Sequence, residues 1–279
     1  MNQIKFYKKE NSMLDSPIDI EKLKKLQFKV MQDVAAAAVV PLMRIGDQLG
    51  LFKKLSELGE VSSQKFADEA EVDERYLREW LHAISAAGFV SYNKEDKTFS
   101  LSPEQAAVFA HEEGPANMIG AYDVLTGAVH NEKDVLKAFK TGEGVPYEDA
   151  CPICFQGTAR FFKPSYQANL IKKWLPLIEG FEEKMKSGGS FADIGCGHGL
   201  STLMIADAFP SGKVAGFDIH GPSIDQAKNL AKDANLLDQI EYGVADAKSY
   251  EGSYDYIAFF DCLHDMGDPV GAAKYAFDH

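Results

Sequence analysis

The chain has 279 residues, of which 46% are hydrophobic and 25% are charged, as in an ordinary globular protein with room for two domains. Its formal net charge of −13 disfavours a nucleic-acid partner, because phosphates repel an acidic surface. Four cysteines imply no disulfide framework, so the expected location is the reducing cytoplasm.

The N-terminal residues predict neither a signal peptide nor a membrane partner. Residues 1–12 are polar, and the longest apolar run, 34–43, is far shorter than the roughly 20 residues that cross a bilayer. A first helix is expected to begin near Ser16, which can cap it. Pro41 is expected to end this helix or to open the next one, and a short helix is expected over 51–58.

Residues 61–101 have the pattern of a helix-turn-helix followed by a wing. The second helix is expected over 74–87, and the segments 89–92 and 98–101 alternate like the strands of a hairpin. A winged helix often binds DNA, but this second helix carries two acidic residues against two arginines and lacks a basic face. We interpret residues 1–110 as a helical, winged-helix dimerisation domain and predict a homodimer through it.

Residues 111–189 are expected to form a helical linker and a pocket wall. Cys151 and Cys154 form a C-x-x-C pair, but a zinc site needs two further ligands at matching spacing. A redox pair would open a helix after a strand. We therefore predict ordinary loop cysteines and no metal site. Three aromatic residues are candidates for either the pocket wall or the core: Phe161, Phe162 and Tyr166.

From residue 190 the pattern changes to alternating strands and helices. This alternation predicts an α/β, Rossmann-like, doubly wound parallel sheet over residues 190–279. The expected strands are 190–194, 213–217, 240–244 and 256–260, and the expected helices are 200–209 and 223–237.

A glycine-rich loop follows the first strand and opens a helix: Asp193-Ile194-Gly195-Cys196-Gly197-His198-Gly199. Glycines let the backbone turn tightly and approach a ligand closely. Asp218 and Asp246 follow the next two strands, so three acids at successive strand ends are expected to line one ligand groove. A dinucleotide could bind the same parts. However, the glycine spacing is shorter than in G-x-G-x-x-G, and the loop resembles that of methyltransferases more than that of NAD-dependent dehydrogenases.

Residues 190–265 resemble class I S-adenosylmethionine-dependent methyltransferases. Residues 27–110 and the segment 157–166 resemble small-molecule O-methyltransferases of plants and bacteria. The resemblance implies S-adenosylmethionine as cofactor and a small-molecule acceptor, with oxygen as the expected methylated atom. It implies these cofactor-binding residues: Asp193, Gly195, Gly197 and Gly199 in the loop, Asp218 at the ribose, Asp246 and Ala247 beside the adenine, and Asp261 at the fourth strand.

The segment Leu263-His264-Asp265-Met266 is similar to the Leu-His-Asp-Trp segment of plant-type O-methyltransferases, which implies His264 as the general base. An imidazole can take the proton of a hydroxyl as the methyl group arrives. Met266 replaces the tryptophan, and the acidic partner of the base is expected beyond residue 279. Because proximity alone can accelerate methyl transfer, His264 either acts as the base or shapes the pocket.

The resemblance also implies a longer sheet, since class I methyltransferases have seven strands and this sequence predicts four. Roughly 70 further residues are therefore expected, at about 30 per strand–helix unit. The favoured function is methyl transfer to a small molecule. The alternatives are a non-catalytic regulator that binds S-adenosylmethionine and, third, an NAD-dependent dehydrogenase.

Overall fold

The computed structural model describes residues 18–279, so the predicted cap at Ser16 lies outside the described residues. Helix α1 (Ile20–Gln48) continues through Pro41, which the sequence predicts to end or open a helix. Its last turns are held by tertiary packing: Met43 is fully buried, and the Trp80 indole N–H donates to the Leu42 carbonyl at 2.8 Å. These contacts offset the one backbone hydrogen bond that a proline removes.

The winged-helix pattern is confirmed. Three short strands form an antiparallel sheet in the order β1-β3-β2. Asp73 caps the second helix of the motif, where its carboxylate accepts from the Tyr76 backbone N–H at 3.2 Å. The elements are α2 (Leu51–Leu58), β1 (Val61–Ser62), α3 (Ser63–Ala70), α4 (Glu74–Ala86), β2 (Ser91–Asn93) and β3 (Thr98–Ser100).

Helix α5 (Pro103–Phe109) follows the wing. Residues 111–189 are mainly helical, as predicted, and contain α6 (Gly120–His130), α7 (Glu132–Thr141), α8 (Pro152–Asn169) and α9 (Phe181–Lys186). Because α8 begins at Pro152, Cys151 lies outside the helix as its N-cap residue, as predicted, whereas Cys154 lies in the first turn, so the predicted loop position was wrong for Cys154. Proline suits the first helical position, where its missing N–H would be unpaired anyway.

Helices α6 and α8 pack backbone against backbone. A Cβ atom on Gly127 would lie 2.8 Å from the Cys154 Cβ atom, and one on Gly157 would lie 2.7 Å from the Asp123 Cβ atom. Only glycine fits at such distances, so these residues set the spacing of the two helices.

A four-stranded parallel sheet follows, in the order β6-β5-β4-β7, which confirms the predicted doubly wound fold. The strand β7 stops two residues earlier than predicted, and Asp261 beyond it takes a left-handed backbone conformation with φ of 54°. The elements are β4 (Ser190–Ile194), α10 (Leu200–Ala208), β5 (Lys213–Asp218), α11 (Gly221–Asp233), β6 (Ile240–Val244), β7 (Tyr256–Ala258) and α12 (Pro269–Asp278).

Helix α1 is long and apolar enough to cross a membrane by length and composition alone, with a mean hydropathy of 1.2 over its most apolar 18 residues. Helices that pack against protein pass the same test. The helix also carries an ion pair between Lys29 and Asp33 at 2.7 Å and buries Met43 at its other end. The absence of a membrane partner stays a prediction.

Candidate functional site

A cavity of about 1030 Å³ lies at the carboxyl ends of the parallel strands. The loops after β4, β5, β6 and β7 line one side, and α8 lines the other. Open parallel sheets bind their ligands at this edge. The volume lies at the upper end of the range for small-molecule sites, roughly 300–1,000 Å³.

The three glycines of the loop after β4 all have positive φ, but they serve different purposes. A Cβ atom on Gly195 would lie 2.6 Å from the Cys262 sulfur, and one on Gly199 would lie 2.6 Å from the Tyr242 hydroxyl. A Cβ atom on Gly197 would meet no atom within 4 Å, and this residue lines the cavity. Gly195 and Gly199 therefore permit close packing, whereas Gly197 exposes its backbone to a ligand.

Asp218 ends β5 and lines the cavity, where it is only 6% exposed. Its Oδ2 atom accepts from the Gly197 backbone N–H and its Oδ1 atom from the His220 backbone N–H, both at 2.8 Å. Each carboxylate oxygen can accept a second hydrogen bond. Asp218 thus holds the glycine loop and remains able to bind hydroxyl groups.

Asp193, predicted to bind the cofactor, is fully buried behind the loop and does not line the cavity. Its Oδ2 atom accepts from the hydroxyls of Ser201 at 2.6 Å and Thr202 at 2.8 Å, which fixes the first turn of α10. Burial raises the pKa of Asp193 to about 6, and the nearby Asp218 adds to this shift. Asp193 and Gly199 lie behind the cavity lining and stabilise the glycine loop and the start of α10. Their contact with the cofactor stays a prediction.

The remaining predicted cofactor residues line the cavity beyond β6 and β7. Asp246 and Ala247 follow β6, and the Asp246 carboxylate also accepts from the Lys248 backbone N–H at 2.8 Å. Asp261 lines the cavity from a loop three residues past the end of β7. It does not lie at the strand itself, as the sequence predicts, because the strand ends at Ala258.

His264 lines the cavity from a short 3-10 turn, Leu263–Asp265, and its side chain is 62% exposed. Its Nδ1 atom lies 3.7 Å from the Asp261 carboxylate and its Nε2 atom 3.3 Å from the Asp265 carboxylate. Both carboxylates lie within three residues of His264 in the chain. Both attract an imidazolium ring at such distances.

Three aromatic residues of α8 line the cavity: Phe161, Phe162 and Tyr166. The sequence predicts them either for the pocket wall or for the core. The ring of Phe162 lies 5.1 Å from that of Phe161 and stacks on that of Tyr166 at 5.9 Å. Tyr166 also contacts Phe260 beyond β7, with the ring centroids 5.8 Å apart. Burial raises the pKa of the Tyr166 hydroxyl, so it remains a neutral group of the wall.

Several lining residues escaped prediction from the sequence: Tyr147, Cys154, Phe155, Thr158, His198, Lys248, Asp265 and Asp268. Phe155 stacks on the His220 ring with the centroids 4.0 Å apart, which joins α8 to the end of β5.

Burial lowers the pKa of His198, and the nearby His220 adds to the effect. Helical spacing could have revealed Thr158, since it lies four residues before Phe162 and eight before Tyr166.

The thiols at the cavity are packing groups. Burial raises the pKa of Cys262 to about 12 and that of Cys196 well above its ordinary value. Cys262 also donates its S–H to the Ile194 carbonyl at 3.0 Å. Burial likewise raises the pKa of Cys154, which is the opposite of what a redox pair needs. In the part of the chain that the structure describes, no group of three or more His, Cys, Asp or Glu residues could hold a metal ion.

Comparison with known proteins gives two domain families. A Rv2258c-like winged HTH domain matches residues 35–111, and a Methyltransferase domain matches residues 191–277. Comparison with curated protein sequences finds no match. The chain therefore carries a winged helix-turn-helix domain and a methyltransferase domain. The predictions of a methyltransferase and of S-adenosylmethionine as its cofactor are confirmed.

Solved structures share this fold. The mitomycin 7-O-methyltransferase MmcR is 17% identical, with a TM-score of 0.63 over 91% of this chain and 76% of that one. PigF, solved with SAH, is 17% identical, with a TM-score of 0.64 over 94% of this chain and 78% of that one. A putative O-methyltransferase from Nostoc punctiforme PCC 73102 is 19% identical, with a TM-score of 0.63 over 94% of this chain and 77% of that one. At these identities the likeness establishes the class I methyltransferase fold and no substrate.

Proposed function

We propose that the protein transfers the methyl group of S-adenosylmethionine to an oxygen atom of a small-molecule acceptor. The observation that carries this proposal is that one cavity is lined by Gly197 and Asp218 on the sheet side, by the aromatic face of α8 opposite, and by His264. Its volume of about 1030 Å³ exceeds the roughly 300 Å³ of the smallest ligand sites more than threefold. It therefore has room for the cofactor together with a small acceptor.

The residues on the sheet side suit the cofactor. Gly197 leaves its backbone open to a ligand, and Asp218 keeps accepting capacity for ribose hydroxyls. The carboxylates of Asp246 and Asp261 make this side of the cavity acidic, which attracts a cation. When bound, S-adenosylmethionine supplies an electrophilic methyl group on a positively charged sulfur.

The α8 side of the cavity, together with His264 from the loop after β7, suits the acceptor. Phe161, Phe162 and Tyr166 form an apolar wall that excludes water, and aromatic faces also attract a sulfonium cation. His264 takes the proton of the acceptor hydroxyl, and Asp261 and Asp265 stabilise the imidazolium that forms. Proximity and alignment of the two reactants supply the remaining acceleration.

We further infer a homodimer built by the N-terminal region. In the part of α1 before Pro41, apolar side chains are exposed, with Phe28 and Met31 each 67% exposed. Contiguous exposed apolar surface of this kind marks a protein interface. A cytoplasmic location is part of the same proposal, and the four cysteines with free thiols support it.

The test is a mass-spectrometric screen in which the protein is incubated with S-adenosylmethionine and a panel of phenols, hydroxy acids and amines. We expect methylated product from a phenol or another hydroxyl compound, and less product with an Asp218→Ala variant at a subsaturating concentration of S-adenosylmethionine. Calorimetry with S-adenosylhomocysteine and NAD runs in parallel. Binding of NAD without binding of the sulfur nucleotide would overturn the proposal, and duplex DNA binding at physiological salt without methylated product would favour the regulator.

A further inference from the structure

Arg160 lies on α8 between two residues of the cavity wall, but its own side chain contacts the helices behind that wall. Its neighbours Ala159 and Phe161 line the cavity. Its guanidinium group makes a two-pronged contact with the Asp47 carboxylate, in which Nη1 lies 2.8 Å from Oδ2 and Nη2 lies 3.0 Å from Oδ1. This geometry matches the planar fork of arginine, which a lysine cannot reproduce.

The contact with Asp47 belongs to a larger network of shielded charges. The Nη1 atom of Arg160 also donates to Asp123 at 2.9 Å, and the Arg44 Nε atom donates to the other oxygen of Asp123 at 2.7 Å. The side chains of these four residues are between 11% and 23% exposed. A third carboxylate, Glu112, contacts the Arg160 Nε atom at 3.2 Å from a more exposed position. Groups so shielded interact more strongly than surface ion pairs.

Both ends of this network are closely packed. Asp47 follows Gly46, where a Cβ atom would lie 2.8 Å from the Phe52 ring of the winged-helix core. On the other side, a Cβ atom on Gly120 of α6 would lie 2.7 Å from the Phe161 backbone nitrogen. Close-packed protein interiors have low compressibility and transmit strain. A shift of the winged-helix core would therefore reach the cavity wall through Arg160.

We propose that Arg160 is a positioning residue that fixes the acceptor wall of the cavity to the winged-helix region. This role rests on the proposed function, because α8 is the acceptor wall only if the cavity holds an acceptor. In this arrangement the winged-helix region holds α8 in position, a role that does not involve DNA. Asp218 at the end of β5 and Asp246 beyond β6 are not part of this network, so the affinity for the cofactor should not depend on it.

The experiment compares Arg160→Gln and Arg160→Lys with the matched control Lys163→Gln. Lys163 lies on the same helix, one turn on, and its partner Glu113 is 72% exposed. With S-adenosylhomocysteine bound, we expect amide hydrogen exchange of residues 155–169 to be at least tenfold faster in Arg160→Gln. Exchange of residues 190–199 should be unchanged, and the Kd for S-adenosylhomocysteine should stay within twofold of wild type.

With 2-naphthol as the acceptor probe, or the best phenol from the screen, the KM for acceptor should rise at least fivefold while kcat changes less than twofold. Arg160→Lys should recover part of both effects, and Lys163→Gln should behave as wild type. Asp47→Asn combined with Arg160→Gln should add little to either single change. If Arg160→Gln does not fold, Arg160→Lys and Asp47→Asn carry the same test.

Unchanged exchange in α8, or equally faster exchange in every segment, would overturn the positioning role. Absence of any methylated product would instead count against the proposed function. The hydrogen-exchange and S-adenosylhomocysteine measurements need no acceptor, so they still decide the role of Arg160 in that case.

Discussion

The Asp218 carboxylate holds the backbone of Gly197 across the gap between two strand ends, with a distance of 2.8 Å from Oδ2 to the amide nitrogen. The two residues are 21 positions apart in the chain. A single side chain thus shapes the glycine loop and offers its remaining acceptor sites to the cavity. Loop geometry and cofactor recognition are therefore coupled through Asp218.

Asp218→Ala should weaken S-adenosylhomocysteine binding by at least about 1.5 kcal/mol, the scale of a hydrogen bond to a charged group. Isothermal calorimetry provides the measurement. The matched control is Asp225→Asn on the adjoining helix α11, where the side chain is exposed, and its Kd should equal that of wild type. An unchanged Kd in a folded Asp218→Ala protein would remove Asp218 from the binding site.

His264→Ala should lower turnover by about 100-fold or more, since general bases contribute roughly 10²–10⁴. Its Kd for S-adenosylhomocysteine should remain close to that of wild type, because the proposed role concerns the acceptor proton. Steady-state kinetics with the best acceptor from the screen provide the comparison. A variant that keeps most of its activity would show that His264 only shapes the pocket.

The raised pKa of Asp193 predicts that the stability of the fold depends on pH. Its pKa is raised to about 6 in the folded protein, so the stability that it contributes is fully present below its unfolded pKa and is lost as the pH rises through 6. Asp193→Asn has no such titration. The unfolding free energy of wild type minus that of Asp193→Asn should fall by about 2 kcal/mol between pH 4.5 and pH 7.5. Urea denaturation at both pH values measures it, and a constant difference would contradict the raised pKa.

Gly127→Ala should destabilise the fold, because the new Cβ atom would meet the Cys154 Cβ atom at 2.8 Å and its Cα atom at 3.0 Å. Overpacking typically costs about 1–3 kcal/mol, and alanine returns about 1 kcal/mol through its helix propensity. The difference is a net loss of up to about 2 kcal/mol in thermal or urea unfolding. Gly144→Ala is the control, since nothing lies within 4 Å of its Cβ position. Equal stability of the two variants would mean that α6 and α8 can move apart freely.

The proposed homodimer predicts that wild type sediments as a dimer at micromolar concentration and that Phe28→Asp sediments as a monomer. Phe28 is 67% exposed on α1, and a carboxylate there would oppose burial in an interface. Gln27→Asp on the same helix adds the same single negative charge at an exposed position and should remain dimeric. A monomeric wild type would contradict the proposal directly.

The parts of the fold that local pattern determines could be predicted from the sequence, and β4 and β6 match their predicted residues throughout. The glycine loop and Asp218 were also predictable, because their chemistry follows from their place after a strand. The position of α8 was not predictable. It depends on pairs far apart in the chain, such as Asp47 and Arg160, which are 113 residues apart. For the same reason Pro41 misled the prediction, since contacts with Trp80 keep its helix intact.

The two walls of the cavity come from different stretches of chain, and this separates the positions that can be varied. Thr158, Phe162 and Tyr166 face the cavity from α8, whereas Gly197 and Asp218 face it from the sheet. A mutant library confined to the three helical positions would alter the shape offered to an acceptor and leave the loop hydrogen bonds intact. Directed evolution toward new acceptors can therefore begin on α8 without altering the contact between Gly197 and Asp218.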